Sequence, residues 1–265
     1  MRELERDLPT TDIAPGTELP ALAILGAGRV GRSIAAAARR AGIEVALAGR
    51  DDGLDACRWA QAVLLCVPDE AIADAAESVA EAVPPIELVG HVSGATELAA
   101  LAPASAVGAA TFSIHPLQTV PDGETDFSGS PCAISGSEPV AVEFATDLAV
   151  ALGMRPFEVA DVHRAAYHAA ACIASNFLVA LEESAVELLG AAGVADAREL
   201  LAPLVLHTAA NWSERGAEAL TGPIARGDEA TVARHLAALS ETAPEMVNLY
   251  EALAERTRAI AEGRR

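Results

Sequence analysis

The sequence predicts an α/β protein in which a doubly wound, mostly parallel sheet is followed by an all-α domain. Three observations lead there. The segment Ala21-Leu-Ala-Ile-Leu-Gly-Ala-Gly-Arg-Val-Gly31 runs a short apolar stretch into three glycines and then into an alanine-rich helical sequence. From Leu22 to about Glu158, short β-like runs alternate with helical stretches, the pattern of a sheet covered on both faces. From Asp161 onward only helical patterns remain. These shifts divide the chain into a lead-in over 1–19, an α/β domain over 20–160 and a helical domain over 161–265.

The elements follow in order. The start, MRELERDLPTTDIAPGTELP, is charged, carries three prolines and lacks an apolar core, so it reads as a flexible lead-in rather than a signal or transit peptide. Strands are expected at 21–25, 43–48, 62–67, 86–92, 107–114, 131–135 and 155–159, with Gly42 stopping the first helix after Arg40. The stretch from Asp161 to Leu189, closed by Gly190, reads as one helix of about 43 Å at 1.5 Å per residue. Asp228 is placed to cap a helix that carries Val232, Leu236 and Leu239 on one face. Thr242-Ala-Pro-Glu245 resembles a capping box with proline in its first turn.

Composition narrows the function classes. The 265 residues are 52% apolar but only 3% aromatic, so the core is built from Ala, Leu and Val. No apolar run is seen to approach the ~20 residues of a membrane span, and a soluble, cytoplasmic protein is expected. The formal charge of −20 argues against nucleic acid or an anionic membrane as partner. All 18 basic side chains are Arg, which removes Schiff-base chemistry and any lysine general acid. Cys57, Cys66, Cys132 and Cys172 show no CxxC spacing, so they read as reduced small hydrophobes, and no metal site is expected.

The glycine segment has the grammar of a dinucleotide site. Gly26 allows a tight turn, Gly28 lets backbone approach a pyrophosphate and Gly31 lets the next helix pack closely, with Ala27, Arg29 and Val30 completing the loop. Seventeen to nineteen residues beyond Gly31, where an NAD enzyme places an acid, the chain reads Ala48-Gly49-Arg50. Arg50 suits a 2′-phosphate, so NADPH is favoured over NAD, although Asp51 or Asp52 could reach the ribose if the turn is short.

Further polar residues collect at the strand ends. The third strand stops at Val67-Pro68, and the next two end in Ser93, His115 and Gln118, all at the carboxyl edge where such sheets bind ligands. Ser93 could equally cap the next helix, and His115 could satisfy a turn. His168, Cys172 and Asn176 recur at i, i+4 and i+8, lying along one helix face or, for His168, bonding an inter-helix carbonyl. Arg226, in Leu220-Thr-Gly-Pro-Ile-Ala-Arg-Gly-Asp228, could clamp a carboxylate or pair with Asp228 or Glu229.

With these motifs in view, the chain resembles the 6-phosphogluconate-dehydrogenase-like reductases. That group includes β-hydroxyacid dehydrogenases, ketopantoate reductases, pyrroline-5-carboxylate reductases and prephenate dehydrogenases. VLLCVPDEAI, SIHPLQT, YHAAACIASN and LTGPIARGD are most similar to a bacterial branch of Rossmann-like proteins with a C-terminal domain of unknown function. The resemblance covers about residues 20–240 and implies NADP binding, a homodimer formed through the helical domain and a small-molecule substrate.

It also implies roles for residues. Matching the asparagine of β-hydroxyacid dehydrogenases to Asn176 places Cys172 where they carry a catalytic lysine, leaving His168 as the nearest proton donor. SIHPLQT resembles the substrate histidine segment of prephenate dehydrogenases and makes His115 the alternative donor. Ser93, Gln118 and Arg226 are then expected at the substrate. Reduction of a 2-oxo acid such as ketopantoate is the leading expectation. An imine reductase, a prephenate-type dehydrogenase and a non-catalytic NADP sensor are the alternatives.

Overall fold

A computed structural model describes residues 19–49, 53–82 and 84–263. The seven expected strands are present: β1 (Leu22–Leu25), β2 (Val45–Ala48), β3 (Ala62–Leu65), β4 (Leu88–His91), β5 (Ala110–Pro116), β6 (Pro131–Gly136) and β7 (Arg155–Glu158). They form one sheet in the order β2-β1-β3-β4-β5-β6-β7. Every pairing is parallel except β5 with β6. The exception has a physical cause. A parallel crossover needs a helix-length connection, and the segment between Pro116 and Pro131 contains no helix.

Helices α1 (Arg29–Arg40), α2 (Gly53–Cys57), α3 (Ile72–Ala80), α4 (Ala102–Ala106) and α5 (Pro139–Ala151) accompany this sheet. The central strands β1 and β3 are apolar and buried on both faces, as a sheet covered twice requires. Leu22, Ile24, Leu64, Phe112 and Ile114 pack with Ile34 and Ala38 of α1 and Phe144 and Leu148 of α5. Ala23, Leu25, Val63, Leu65 and Val89 pack on the opposite face with Ile72, Ala76 and Val79 of α3. The free thiols of Cys57 and Cys132 are buried, and burial lifts them to about 11 and about 12.

The chain divides into two compact units, residues 1–172 and 173–265. The expected single helix over 161–189 is interrupted. A short 3₁₀ turn at Asp161–His163 leads into α6 (Arg164–Ala174), and α7 (Asn176–Ala191) begins after Ser175, whose φ of −121° and ψ of −72° leave helical geometry. Ser and Asn, which compete with the helix through local hydrogen bonds, sit at the interruption. The expectation that nothing approaches a membrane span also needs correction. The helical run Asp161–Ala191, 31 residues with a mean hydropathy of 1.4 over its most apolar window, is long and apolar enough to cross one by length and composition alone.

The second unit continues with α8 (Ala197–Arg215), α9 (Pro223–Arg226), α10 (Glu229–Thr242) and α11 (Val247–Glu262). Asp228 caps α10 as expected, its carboxylate accepting from the Thr231 amide at 3.0 Å. Val232 and Leu239 are buried, and Leu236 is half-buried. The capping box at Thr242 is not formed. Thr242 is the last residue of α10, and its hydroxyl donates back to the Ala238 carbonyl, which ties it to the helix it closes.

Candidate active site

The turn after β1 follows the glycine grammar closely. Gly26 has φ +116°, and a Cβ there would stand 2.2 Å from the Cys66 carbonyl oxygen, so only glycine fits. A Cβ at Gly31 would lie 2.0 Å from the Gly26 carbonyl oxygen, which is how closely α1 approaches the turn. Gly28 is the N-cap of α1 and faces open space. No acidic residue occupies the first turn of α1, so its free amides present uncompensated positive dipole ends.

In front of this turn lies a cleft of about 480 Å³ at the carboxyl edge of the sheet. Gly28 lines it from the turn, Arg29 and Val30 from the start of α1, and Val67, Pro68 and Asp69 from the segment after β3. Ser93 and Gly94 follow β4, His115 and Gln118 come from β5 and the segment after it, and His168 comes from α6. The sequence-selected residues of the first unit thus converge on one cleft, with Gly26, Ala27 and Gly31 shaping the turn behind it. Arg50 lies outside the described residues. Asn176, exposed at the start of α7, and Arg226, exposed at the end of α9, belong to the second unit. Among the described residues Arg226 has no ion-pair partner: Asp228 caps α10, and Glu229 pairs with Arg258 at 2.9 Å.

Two histidines meet over Gly94. A Cβ on Gly94 would come within 2.4 Å of His168 Nδ1 and 2.8 Å of His115 Nε2, so the absent side chain makes room for both rings. Their centroids are 5.7 Å apart. His115 Nδ1 shares a hydrogen bond of 2.7 Å with the Tyr167 hydroxyl, and the two rings meet edge to face. Burial, then His168 and Arg164, bring the His115 pKa down to about 4, so the ring is neutral at physiological pH. Burial pushes the Tyr167 phenol up to about 12.

Beneath this pair Arg164 is fully buried. Its Nη2 donates to the Ser93 carbonyl at 2.6 Å and its Nη1 to the Ser135 hydroxyl at 3.0 Å, which in turn bonds Ser113 across the β5–β6 pair at 2.9 Å. Its Nε has no partner, and it makes no ion pair among the described residues. His91, at the end of β4, is also fully buried with neither ring nitrogen hydrogen-bonded, and burial lowers its pKa to about 4.

Two polar residues are partly committed elsewhere. The Ser93 hydroxyl accepts from the Ala95 and Thr96 amides and bonds the Thr96 hydroxyl, so it organises its own turn. Gln118 donates to the Asp126 carbonyl at 3.1 Å and accepts from Ser130. Sequence reasoning passed over Arg164, Tyr167, His91 and Gly94. For Tyr167 the signal is its place beside His168, three residues after Arg164. Nothing in the sequence distinguishes Arg164 from the other arginines.

Comparison with known proteins agrees with the two-part architecture. Residues 51–116 match the family model described as a Rossmann-like domain, and residues 130–257 match the one described as a domain of unknown function, DUF2520. The protein therefore has a Rossmann-like domain followed by a C-terminal helical domain. No curated protein matches its sequence.

Solved structures share the fold at low identity. A Bacteroides fragilis protein provisionally described as an NADP oxidoreductase is 23% identical, with TM-score 0.77 over 91% of this chain and 99% of its own. A Thermotoga maritima protein is 23% identical, with TM-score 0.73 over 92% of this chain and 100% of its own. A reductive aminase from Aspergillus terreus, in complex with NADPH and ethyl-5-oxohexanoate, is 18% identical, with TM-score 0.67 over 93% of this chain and 95% of its own.

Proposed function

We propose that the protein is an NADPH-dependent reductase of a small 2-oxo acid, similar in reaction to ketopantoate reductases. The observation that carries this reading is a single cleft joining the glycine turn to the paired histidines. The open space at Gly28 and the free amides of α1 fit a pyrophosphate, while the apolar Val67-Pro68 segment fits the nicotinamide end. Arg50 is the residue for the 2′-phosphate. The described resemblance to an NADP oxidoreductase and to a structure holding NADPH supports this cofactor.

The bound cofactor supplies the hydride, and the chain supplies geometry and a proton. Gly28 to Gly31 hold the anion, and His115 or His168 donates to the substrate oxygen across the space over Gly94. The neutral state of His115 makes its ring N–H the donor rather than an imidazolium. Roles for Gln118 at the cleft wall and for Asn176 rest on the family resemblance, and Arg226 as a clamp for a substrate carboxylate rests on its Gly- and Pro-rich segment.

A second reading, imine reduction, is favoured by the likeness to a reductive aminase and by Asp69 on the cleft wall, whose carboxylate suits an iminium. A panel of 2-oxo acids and cyclic imines, followed by loss of NADPH absorbance, separates the readings. The proposal expects turnover with a 2-oxo acid and a preference for NADPH over NADH. Turnover of imines alone supports the second reading, and cofactor binding without any turnover supports a sensor. A homodimer through the helical domain belongs to the same proposal, since α7 buries none of its residues while Phe177 and Val179 stand more than half exposed.

A further inference from the structure

Arg164 poses a problem that the reductase reading leaves open. Burying a guanidinium is costly unless a carboxylate answers it, yet Arg164 is fully buried and bonds only a neutral hydroxyl and a neutral carbonyl. The Asp161 carboxylate, three residues before it, is engaged by the Leu98 amide through both oxygens at 3.1 Å. Burial lowers the Arg164 pKa, and the compensating influences come from Asp161 first and then from Tyr167. Tyr167 lies one helical turn further along α6 and bonds His115.

We propose that Tyr167 and His115 form a proton relay into the cleft, and that Arg164 is the standing counter-charge for the phenolate the relay leaves behind. The phenol donates to His115 Nδ1, which fixes the hydrogen of the neutral imidazole on Nε2. Nε2 has no hydrogen-bond partner among the described residues and borders the space over Gly94. When negative charge develops on a substrate oxygen, the Nε2–H bond breaks and a substrate O–H bond forms. At the same time the Tyr167 O–H bond breaks and an Nδ1–H bond forms. The imidazole ends neutral as it began, the net loss is one proton from Tyr167, and water returns that proton.

The charges facing His115 suit this direction of transfer. Arg164 and His168 both disfavour a second proton on His115, and only the exposed Asp69 opposes them. Arg164 favours the phenolate of Tyr167, whereas burial and Cys132 oppose it. Arg164, the cation that favours the phenolate, is in place before the transfer. This is electrostatic preorganisation, with the compensating charge fixed before the reaction needs it. Tyr167 contacts the reacting atoms only through His115, so it acts as a positioning and relay residue.

The inference rests on the reductase reading for its substrate, so its test includes an arm independent of turnover. The chain has six histidines, and ¹⁵N-histidine labelling of the full-length protein resolves their tautomers by NMR. Wild type is expected to show His115 protonated on Nε2 and unprotonated on Nδ1 from pH 6 to 8, with the Tyr167→Phe protein giving a mixture of tautomers. With a turned-over substrate, Tyr167→Phe should lower kcat by roughly two decades with little change in KM, and the proton inventory should fall from two protons to one. The phenylalanine ring keeps the packing against His115 and Phe157, so a folding defect is not expected. A hydrogen on His115 Nδ1 in wild type overturns the relay whatever the activity, and so does an unchanged kcat in Tyr167→Phe. If the NMR arm gives the expected tautomer while no carbonyl compound is reduced, the reductase reading fails and the proton-transfer step falls with it.

Discussion

At the residue scale the cleft is organised by what is missing among the described residues: no side chain on Gly94, no lysine on α6 and no carboxylate bonded to Arg164. Replacing His115 by Ala should lower turnover of a 2-oxo acid by roughly two to four decades, the scale of a lost general acid, while NADPH affinity is unchanged. His168→Ala should cost less, because its Nδ1 is packed against Gly94 without a partner. The reverse order in steady-state kinetics would make His168 the donor.

Burial of His91 makes a separate prediction about stability. Its pKa is about 4 in the folded chain and about 6.5 when unfolded, so the unfolded state takes up a proton first as pH falls. Stability is complete above pH 6.5, declines between 6.5 and 4, and changes no further from this residue below 4. Between pH 7 and 4.5, wild type should lose about 2 kcal/mol more than His91→Asn in urea denaturation. Equal losses would contradict a neutral, buried His91. These residue roles were only half legible in the sequence. His115 and His168 stood out as polar groups in apolar runs, but Arg164 and Tyr167 gain their meaning from α6 docking on the ends of β4 and β6, a contact made across about 70 and 30 residues of chain.

At the scale of elements, the local rules read well wherever one segment decides the outcome. Apolar runs bounded by glycine or proline mark the central strands, and the turn between β1 and α1 can be read residue by residue. The one antiparallel pairing, β5 with β6, fits a mostly parallel sheet and follows from the lack of a crossover helix. Where the outcome depends on a competing partner, the local pattern misleads: the Asp161–Leu189 run hides an interruption at Ser175 because the apolar periodicity continues through it. Thr242 carried a capping signature that its position as the last residue of α10 overrode. The β1–α1 turn offers the sharpest test at this scale. Gly31→Val would drive a branched side chain into the Gly26 carbonyl, 2.0 Å from the Cβ position, and α1 would have to lift from the turn. Thermal unfolding should show a Tm reduced by several degrees, for a cost of at least 1–3 kcal/mol, together with loss of dinucleotide binding. Wild-type binding in a folded Gly31→Val protein would contradict the assigned role.

For the whole molecule, the two units divide the work: the sheet unit carries the cleft, and the helical unit carries a surface more apolar than its own packing requires. Leu200, Leu204, Leu206 and Trp212 of α8 are each more than 60% exposed, in a chain whose formal charge of −20 otherwise favours hydration. A homodimer through these helices is the proposed consequence. Light scattering should give about twice the 27.1 kDa of one chain at micromolar concentration, and a monomer there would contradict it. Calorimetric titration of the full-length protein with NADPH and with NADH shows whether the cleft in front of Gly28 holds NADPH. NADPH should bind more tightly, and Arg50→Ala should lose roughly 1.5–3 kcal/mol, one to two decades, for NADPH alone. Absence of binding by either dinucleotide, or an equal loss for both in Arg50→Ala, would contradict this reading.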